Sequence, residues 1–215
     1  MQEVLTRVRD PLGFAFDPSC VLYLPLYKLD GASFMSKDQY GHLCTSTNTL
    51  WTPQGRTFPG DGYINLGTGM STKFANGMSA LLWMNVTTLT SHHTLIGQPT
   101  VNEITFAIDV ATGKLRVIFT NVVINWYYST GAITVGTWAL VGFTFDNSTL
   151  TFYINGVAAG TDALSGSIGT LTEALLESNG GLGYFTGQHG EVILYSRALM
   201  PLEVQHNYLN TKWRY

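Results

Sequence analysis

The sequence predicts an all-β fold, a two-sheet antiparallel β-sandwich with one short helix near its C-terminal end. Short runs rich in Val, Ile, Thr, Tyr, Phe and Trp alternate with Gly, Asn and Asp along nearly the whole chain. Several of these runs are joined by residues typical of β-hairpins. The chain has 215 residues, of which 45% are hydrophobic and 12% are charged, so one domain has enough apolar residues for a core.

The predicted strands are short and are separated by turn residues. Gly113 favours a hairpin at the turn after 103–110, and Asn155-Gly156 predicts a type I′ turn, because both residues tolerate positive φ. Residues 146–148 predict a third hairpin. The predicted strands lie at 20–27, 56–59, 63–67, 79–87, 94–97, 103–110, 114–120, 122–128, 138–145, 150–155 and 190–196.

The stretch 117–145 contains no charged residue, which suggests either a membrane span or strands near the middle of a sandwich. Asn121, Asn125, Gly131 and Gly136 lie within it, and strands joined by turns explain these residues better than one membrane helix does. We therefore interpret this stretch as central strands.

One helix is predicted after Pro201, which suits a first helical turn because its missing N–H has no partner there. Val204 and Tyr208 are four residues apart and share one face, which we expect to pack on the sandwich. Residues 1–19 are predicted to form an irregular N-terminal arm that docks on the domain or on another subunit. Residues 20–215 form the predicted sandwich domain.

Charge and hydropathy exclude several classes of partner. The net charge is −3 and no cluster of Lys and Arg exceeds two or three residues, which argues against a nucleic-acid partner or an anionic membrane. No apolar run reaches the ~18 residues of a membrane helix. The first ten residues lack the apolar centre of a signal peptide. The start at Met1 and the ending at Tyr215 lead us to expect a complete small protein.

The chain has two cysteines, Cys20 and Cys44. Their spacing matches no zinc motif. A disulfide and two buried free thiols both fit, and we favour the thiols because free Cys packs like a small hydrophobic residue.

Three groups of residues form a pattern shared with a known family. They are W-x-x-V-x-F-T-x-D at 138–146 with L-x-x-Y-I-N-G at 150–156, G-E-V-x-L-Y-S-R-A-L at 190–199 with P-x-E-V at 201–204, and the early motifs D-x-x-G-H at 38–42 and G-R-x-F-x-G-x-x-Y-I at 55–64. Over residues 20–212 the chain resembles laminin-G-like (LamG) domains of the concanavalin A-like lectin/glucanase superfamily. The resemblance implies a jelly-roll sandwich of two curved antiparallel sheets.

Two residues of this pattern are expected to act structurally. Trp138 is large enough to fill the space between the sheets. Arg197 has several donors with which to tie the last strand and the helix to neighbouring carbonyl groups. The superfamily contains both binding modules and enzymes, so the resemblance alone does not select a function.

The resemblance also provides a test for catalysis. Glucanases of the superfamily carry Glu-x-Asp-x-Glu on one strand, because residues i, i+2 and i+4 share a face. This chain has no such motif, and its strand carboxylates Glu103 and Asp109 are isolated. The Gln-x-His motif of the lyase relatives is also missing. We expect no catalytic residue and no enzymatic activity, with a divergent polysaccharide hydrolase or lyase as an alternative.

Many relatives bind calcium through an opening-loop aspartate and an Asp-Glu-Val sequence in the final strand. Here Gly190 stands at that aspartate position, while Glu191 is kept and Asp30 and Asp38 are the opening-loop candidates. Calcium prefers six to eight oxygen ligands, several of them carboxylates. We therefore expect no metal and no cofactor, with these three residues as weak calcium candidates only.

Aromatic and polar side chains predict a surface for ligand binding. Trp51 lies among polar residues and is expected to be exposed. Alternation places Trp126 and Tyr128 on one face of a strand and Tyr127 on the other, and which face is buried stays open. The predicted ligand-binding residues are Trp51, Trp126, Tyr127, Tyr128, His92, His93 and Asn102.

These observations predict a non-catalytic recognition or adhesion module that binds carbohydrate or a glycosylated surface. Free-standing chains of this type without an export signal resemble bacteriophage decoration, head-fibre or tail-adhesion proteins, which implies localisation on a virion or another extracellular surface. A purely structural virion assembly protein, with homo-oligomer or virion contacts and no sugar binding, is the other alternative.

Overall fold

Two antiparallel sheets of eight strands each face one another in the computed structural model of the chain, which confirms the predicted sandwich. The structure describes residues 17–68, 74–91, 93–97, 104–119, 123–168, 173–176 and 185–215. In chain order the strands are β1 (Cys20–Pro25), β2 (Ser33–Met35), β3 (Leu43–Thr47), β4 (Leu50–Thr52), β5 (Gly55–Pro59), β6 (Tyr63–Thr68), β7 (Met78–Val86), β8 (His93–Gly97), β9 (Ile104–Ile108), β10 (Lys114–Phe119), β11 (Val123–Ala132), β12 (Ala139–Phe145), β13 (Thr149–Ile154), β14 (Val157–Ala163), β15 (Glu173–Leu176) and β16 (Thr186–Tyr195).

The two sheets differ in which strands form their edges. Sheet A has the order β14-β13-β12-β7-β16-β5-β4, and β1 pairs with the second half of β16. Sheet B has the order β11-β10-β9-β8-β15-β6-β3-β2. Strand β11 also contacts β14. The β11 and β14 edges therefore lie at one rim of the sandwich, and β4 lies at the far edge of sheet A.

Each predicted strand corresponds to a strand of the structure, and most of the strand ends agree within two residues. Strand β11 continues to Ala132, and β16 begins at Thr186. Strands β2, β3, β4, β14 and β15 were not predicted. Three of these, β2, β4 and β14, lie at sheet edges. Strands β2 and β4 have only three residues each, and β14 is mostly small or polar, so none of the three shows a long apolar alternation. The predicted strand residues 103, 120 and 122 lie outside the described residues.

All three predicted hairpin turns are confirmed. Gly113 has φ +67, and Asn155 and Gly156 have φ +52 and +77, as a type I′ turn requires. In the turn after β12, Asn147 has φ +70 and the Asp146 carboxylate accepts the backbone N–H of Thr149 at 2.7 Å.

Aromatic rings fill the main core between the sheets. Phe143 and Phe145 of β12 point inward. Their rings meet Phe106 and Phe119 of sheet B, with centroids 5.2 Å apart for Phe106–Phe143 and 4.8 Å for Phe119–Phe145. The uncharged stretch that contains these strands therefore belongs to a sandwich interior, as predicted.

A second apolar core covers the outer face of sheet A. Helix α1 (Pro201–Thr211) lies on this face and buries Val204 there. The indole of Trp83 stacks with the rings of Tyr208 and Tyr215, at centroid distances of 5.8 and 4.4 Å. Its Nε1–H donates to the Thr211 hydroxyl at 2.7 Å. The predicted helix and its packing are therefore confirmed.

The expectation for Trp138 is wrong. Its ring lies 4.7 Å from that of Tyr215 and is half-buried in the outer core, not between the sheets. Trp138 precedes the first residue of β12, where its neighbours Ala139 and Val141 face the main core. Because side chains alternate along a strand, Trp138 points to the face opposite that of Ala139. The sequence did not fix the register of β12, so it did not show which of the two faces meets sheet B.

Arg197 joins the end of β16 to helix α1 and to the segment before β1. Its Nη1 and Nη2 atoms donate to both Glu203 carboxylate oxygens at 2.8 and 2.7 Å, and Nη2 also donates to Asp17 at 3.0 Å. Its Nε donates to the Ser19 hydroxyl at 3.0 Å. Arg197 therefore ties the strand to the helix as predicted, but mainly through carboxylates, with Ala198 as its one carbonyl partner among the described residues.

Both cysteines are free and buried, as favoured from the sequence. Burial raises the pKa of the Cys20 and Cys44 thiols to about 12. They are therefore neutral at pH 7 and act as small apolar groups.

Most of the predicted N-terminal arm, residues 1–16, lies outside the described residues. The remainder, 17–19, contacts the domain through Arg197. Within the described ranges, no helix combines the length and the apolar character that a bilayer span would need.

Replacing Arg197 with Met should lower the free energy of unfolding by about 1–2 kcal/mol at pH 7, because it removes charge-assisted hydrogen bonds to two partly exposed carboxylates, those of Glu203 and Asp17. Hydrogen bonds from Arg197 hold the pKa of Glu203 below its ordinary value of 4.5. This stabilisation is present above pH 4.5 and is lost as the pH falls through the lowered folded pKa. Urea unfolding of both proteins from pH 7 to pH 3 should show the difference shrinking, with K37M as an exposed control. A difference that stays constant would contradict this account.

Replacing Gly190 with Ala should destabilise the fold by about 1–3 kcal/mol, because a Cβ at this position would overlap the Tyr215 ring. Combining G190A with Y215A should cost less than the sum of the two single changes. Thermal unfolding of the double-mutant cycle measures this coupling, and G131A, where a Cβ meets only ordinary contacts, is the control. Strictly additive effects would show that Tyr215 does not fill this space.

Candidate functional site

The predicted ligand-binding aromatics lie at two different edges of the sandwich. Trp51 lies in β4, the far edge strand of sheet A, and residues 126–128 lie in β11, an edge strand of sheet B. The structure therefore does not bring Trp51 together with Trp126. We call the surface formed by Tyr27, Trp51, Gln54, Trp213 and Arg214 the Trp51 rim, and the surface formed by Arg116, Trp126 and Tyr128 the Trp126 rim.

Trp51 is exposed, as predicted, and is held in one orientation. Its side chain is 38% exposed. The hairpin that carries it reverses between Thr52 and Gly55, and its indole Nε1–H donates to the Tyr27 carbonyl at 3.0 Å. Because the polar edge of the indole is used internally, the ring presents apolar surface to solvent.

Trp213 extends the same rim from the C-terminal segment. It is 71% exposed, and its Nε1–H donates to the Asn210 carbonyl at 2.9 Å. The Arg214 guanidinium lies 4.7 Å from the centroid of the Trp213 ring and 3.9 Å from that of Tyr27. Gln54 donates to the Arg214 carbonyl at 3.4 Å, which links this segment to the β4–β5 hairpin.

A buried ion pair anchors Arg214 from below. Its Nη1 lies 2.7 Å from an oxygen of Glu191, which is 1% exposed and also accepts the Tyr23 hydroxyl at 2.9 Å. Burial lowers the pKa of Arg214, but Glu191, Tyr27 and Tyr215 act together in the opposite direction and hold the pKa above its ordinary value. Burial also raises the pKa of Tyr23, so that its hydroxyl stays protonated as a donor. The ion pair with Glu191 therefore fixes the position of the Arg214 guanidinium beside the rings of Tyr27 and Trp213.

The Trp51 rim is a rigid aromatic surface beside a fixed positive charge. Its two indoles are oriented by hydrogen bonds to backbone carbonyls, so little side-chain freedom is lost when a ligand covers them. Such rings suit a flat, partly apolar group, which includes the C–H face of a sugar.

At the Trp126 rim the structure settles which face of β11 is buried. Tyr127 packs against the main core, while Trp126 and Tyr128 lie on the outer face of sheet B, with Tyr128 42% exposed. Arg116 lies directly across from Tyr128 on β10, and its Cζ is 4.1 Å from the centroid of the Trp126 ring. Trp126 and Tyr128 therefore remain available to a ligand, and Tyr127 does not.

Of the three predicted polar ligand-binding residues, His93 is the one that the structure describes, and it is not exposed to a ligand. His93 was expected on a loop, but it begins β8 and is fully buried, where its Nδ1 accepts the backbone N–H of Thr186 at 3.3 Å. The rest of β8 pairs with β9 on one side and with β15 on the other, so His93 lies at the start of a strand inside the sheet. His92 and Asn102 lie outside the described residues.

The weak calcium candidates are engaged elsewhere. The Asp38 carboxylate accepts the backbone N–H groups of Tyr23, Tyr40 and Gly41. Glu191 is held by Arg214. Asp30 lies in the turn whose carbonyls accept from Arg56. Within the described ranges, no three His, Cys, Asp or Glu side chains come together as a metal site.

At Gly190 the Tyr215 ring occupies the space that a Cβ would need. A longer residue at 190 would displace this ring. The glycine is therefore explained by packing of the last residue of the sequence.

Sequence reasoning missed the contributions of Trp213, Arg214 and Arg116. The motif K-W-R-Y at 212–215 places an indole in a polar stretch, which is a usable signal for exposure. Arg116 is the last charged residue before a long uncharged stretch, but its burial depends on its strand neighbours and cannot be read from the sequence.

Comparison with known proteins identifies the family. The model of the family Laminin_G_3, described as concanavalin A-like lectin/glucanases superfamily, matches residues 58–205. None of the curated proteins compared with the chain is a match.

Solved structures with a similar fold differ widely in sequence. Domain 4 of AbnA, a GH43 extracellular arabinanase from Geobacillus stearothermophilus solved with arabinotriose, has a TM-score of 0.71 at 20% identity, covering 88% of this chain and 98% of that domain. Trypanosoma rangeli sialidase has a TM-score of 0.70 at 15% identity, covering 92% of this chain and 34% of the sialidase. The botulinum neurotoxin type G receptor binding domain has a TM-score of 0.67 at 14% identity, with coverages of 89% and 51%.

The chain thus spans about a third of the sialidase chain, and these low identities show similarity of fold alone. The family match covers well over half of the chain and includes its central strands and the first turn of its helix. The chain therefore belongs to the laminin-G-like family Laminin_G_3 of the concanavalin A-like lectin/glucanases superfamily.

Proposed function

We propose that this domain is a non-catalytic carbohydrate-recognition module that binds glycans at the Trp51 rim. The observation that carries the proposal is the pair of exposed indoles, Trp51 and Trp213, each fixed by a hydrogen bond to a backbone carbonyl. Rigid exposed aromatic rings offer a large contact area at a low cost in conformational entropy. Arg214 and Gln54 add hydrogen-bond donors beside them for sugar hydroxyl groups.

The fold supports this proposal. The chain has the fold of a lectin-like family, and the AbnA domain with a similar fold was solved with an arabinose trisaccharide. That observation concerns the arabinanase domain, and it makes arabinotriose a reasonable first probe for this chain.

The absence of catalysis is part of the proposal. Glycoside hydrolysis needs two carboxyl groups that flank an open substrate site. Glu191 is buried in an ion pair, and Asp109 is buried near Arg116. Asp38 and Asp146 are used as acceptors by backbone N–H groups in turns. Glu103 lies outside the described residues, so the alternative of a divergent hydrolase or lyase stays open to an activity assay.

The setting of the protein also stays a prediction. Display on a virion, as a decoration, head-fibre or tail-adhesion protein, rests on the sequence resemblance. A purely structural assembly protein would use the same exposed aromatics as a subunit contact. Sedimentation of the purified chain, together with glycan binding, separates these two uses of the rim.

Replacing Trp51 or Trp213 with Ala should each weaken glycan binding about tenfold or more, because each change removes a central aromatic contact. Calorimetry with arabinotriose, and with neutral oligosaccharides selected on a glycan array, measures the loss. Both variants should stay folded, and W51A should lose more stability than W213A because Trp51 is the more buried of the two rings.

The matched control is Y40A, because Tyr40 is 45% exposed but lies outside the rim. Its glycan affinity should equal that of the wild type. Unchanged affinity in both Trp variants, or the absence of any glycan that binds, would contradict the proposal.

Glycan binding and stability should not depend on calcium, because the Asp38 and Glu191 carboxylates are held in other contacts and the described residues bring no three metal-ligating side chains together. Thermal unfolding in 5 mM CaCl2 and in 5 mM EDTA should give melting temperatures within about 1 °C of each other. A clear rise with calcium would instead reveal a site that involves other groups of the chain.

A further inference from the structure

We infer that the Trp126 rim is a second binding site, specific for the carboxylate of an acidic sugar, which Arg116 binds through its Nε and Nη2 atoms. It lies at a different edge of the sandwich from the Trp51 rim and shares no residue with it. The inference therefore goes beyond the proposed function and can fail independently of it.

The first observation is a buried guanidinium with unused donors. Arg116 is 5% exposed, and neither Nε nor Nη2 has a hydrogen-bond partner among the described residues. Its Nη1 lies 3.7 Å from an oxygen of Asp109, which is beyond hydrogen-bond distance. Arg116 therefore has a charge partner but leaves most of its donors unused.

The two unused atoms form one edge of the guanidinium. Nε–H and the adjacent Nη2–H point in the same direction, and together they match the two oxygens of a carboxylate. A buried donor without an acceptor is costly, and a buried charge more so. A ligand carboxylate would supply both missing acceptors at once, whereas a neutral sugar would supply at most one good partner.

The second observation is the aromatic surround. Trp126 covers one face of the guanidinium at 4.1 Å, and Tyr128 stands directly across from Arg116 with 42% of its surface exposed. Unlike Trp51 and Trp213, the Trp126 indole makes no hydrogen bond in the part of the chain that the structure describes. Among the described residues, the contact with the Arg116 guanidinium is the main interaction of the Trp126 ring. Displacing the ring would therefore break no hydrogen bond to the described part of the chain.

These features favour an acidic sugar over an acidic peptide. The Trp126 and Tyr128 rings beside the Nε and Nη2 edge of Arg116 provide a stacking surface for a pyranose ring. A peptide carboxylate would use only the positive charge and would leave these rings without a partner. Strand β11 is an edge strand of sheet B and contacts β14, while Tyr128 on its outer face stays exposed, so a sugar ring can approach the rim from that face. A uronic acid or a sialic acid carries both a ring and a carboxylate.

The test compares acids with their own methyl esters, which keep the ring and remove the charge. Galacturonate, glucuronate and N-acetylneuraminate are titrated against the full chain by calorimetry at 50 mM NaCl. At least one acid should bind about tenfold or more tightly than its ester, because hydrogen bonds to a charged group are the strong ones. Trp fluorescence should change on binding as the Trp126 ring leaves the guanidinium, and W126F should remove that change.

The informative variant is Arg116→Lys, which keeps the positive charge near Asp109 and Trp126 but loses the two-donor edge. R116K should melt within about 2 °C of the wild type without ligand and lose at least tenfold in affinity for the acid. W51A/W213A should bind the acid normally, which separates this site from the Trp51 rim.

Three results would overturn the inference. The first is equal binding of every acid and its ester. The second is an unchanged affinity in R116K. The third is that a penta-aspartate peptide binds as tightly as the acidic sugars and depends on Arg116 in the same way. That result would assign the Nε and Nη2 atoms of Arg116 to a protein partner instead.

Discussion

The central strands of sheet A are buried on both faces, and the rest of the structure depends on covering their outer face. Every residue of β7 is buried except Asn85, which is half-buried. The inner residues meet sheet B, but the outer ones need a separate cover because exposed apolar surface of this size is unfavourable in water. Helix α1 and Tyr215 provide that cover by packing on Trp83.

This cover determines where the Trp51 rim lies. Tyr215 packs against Gly190, and Arg214, next to it, reaches the buried carboxylate of Glu191. With both residues fixed, Trp213 is left exposed beside the β4–β5 hairpin that carries Trp51. The same contacts that close the outer core therefore place two aromatic residues from distant parts of the sequence at one edge. The Trp126 rim depends on a different constraint, the alternation of side chains along β11.

The sequence predicts much of the fold because its signals are local. Positive φ at Gly113 and at Asn155-Gly156 follows from turn chemistry, and apolar alternation predicts the central strands. The edge strands β4 and β14 escaped prediction because half-exposed strands carry no such alternation. The site was harder to predict. Trp51 was correctly expected to be exposed, but Trp213 joins it only through tertiary contacts, and Trp138 was placed in the wrong core because a one-residue uncertainty in register reverses the face.

The central claim, that Trp51 and Trp213 form one glycan-binding surface, is tested most directly by the indole N–H signals in an NMR titration. The chain has five tryptophans, so each signal can be assigned by single substitution. With a neutral glycan that binds, the account predicts that the Trp51 and Trp213 signals shift together with one dissociation constant, while those of Trp83 and Trp138 stay unchanged. Shifts confined to other tryptophans, or different constants for Trp51 and Trp213, would contradict it.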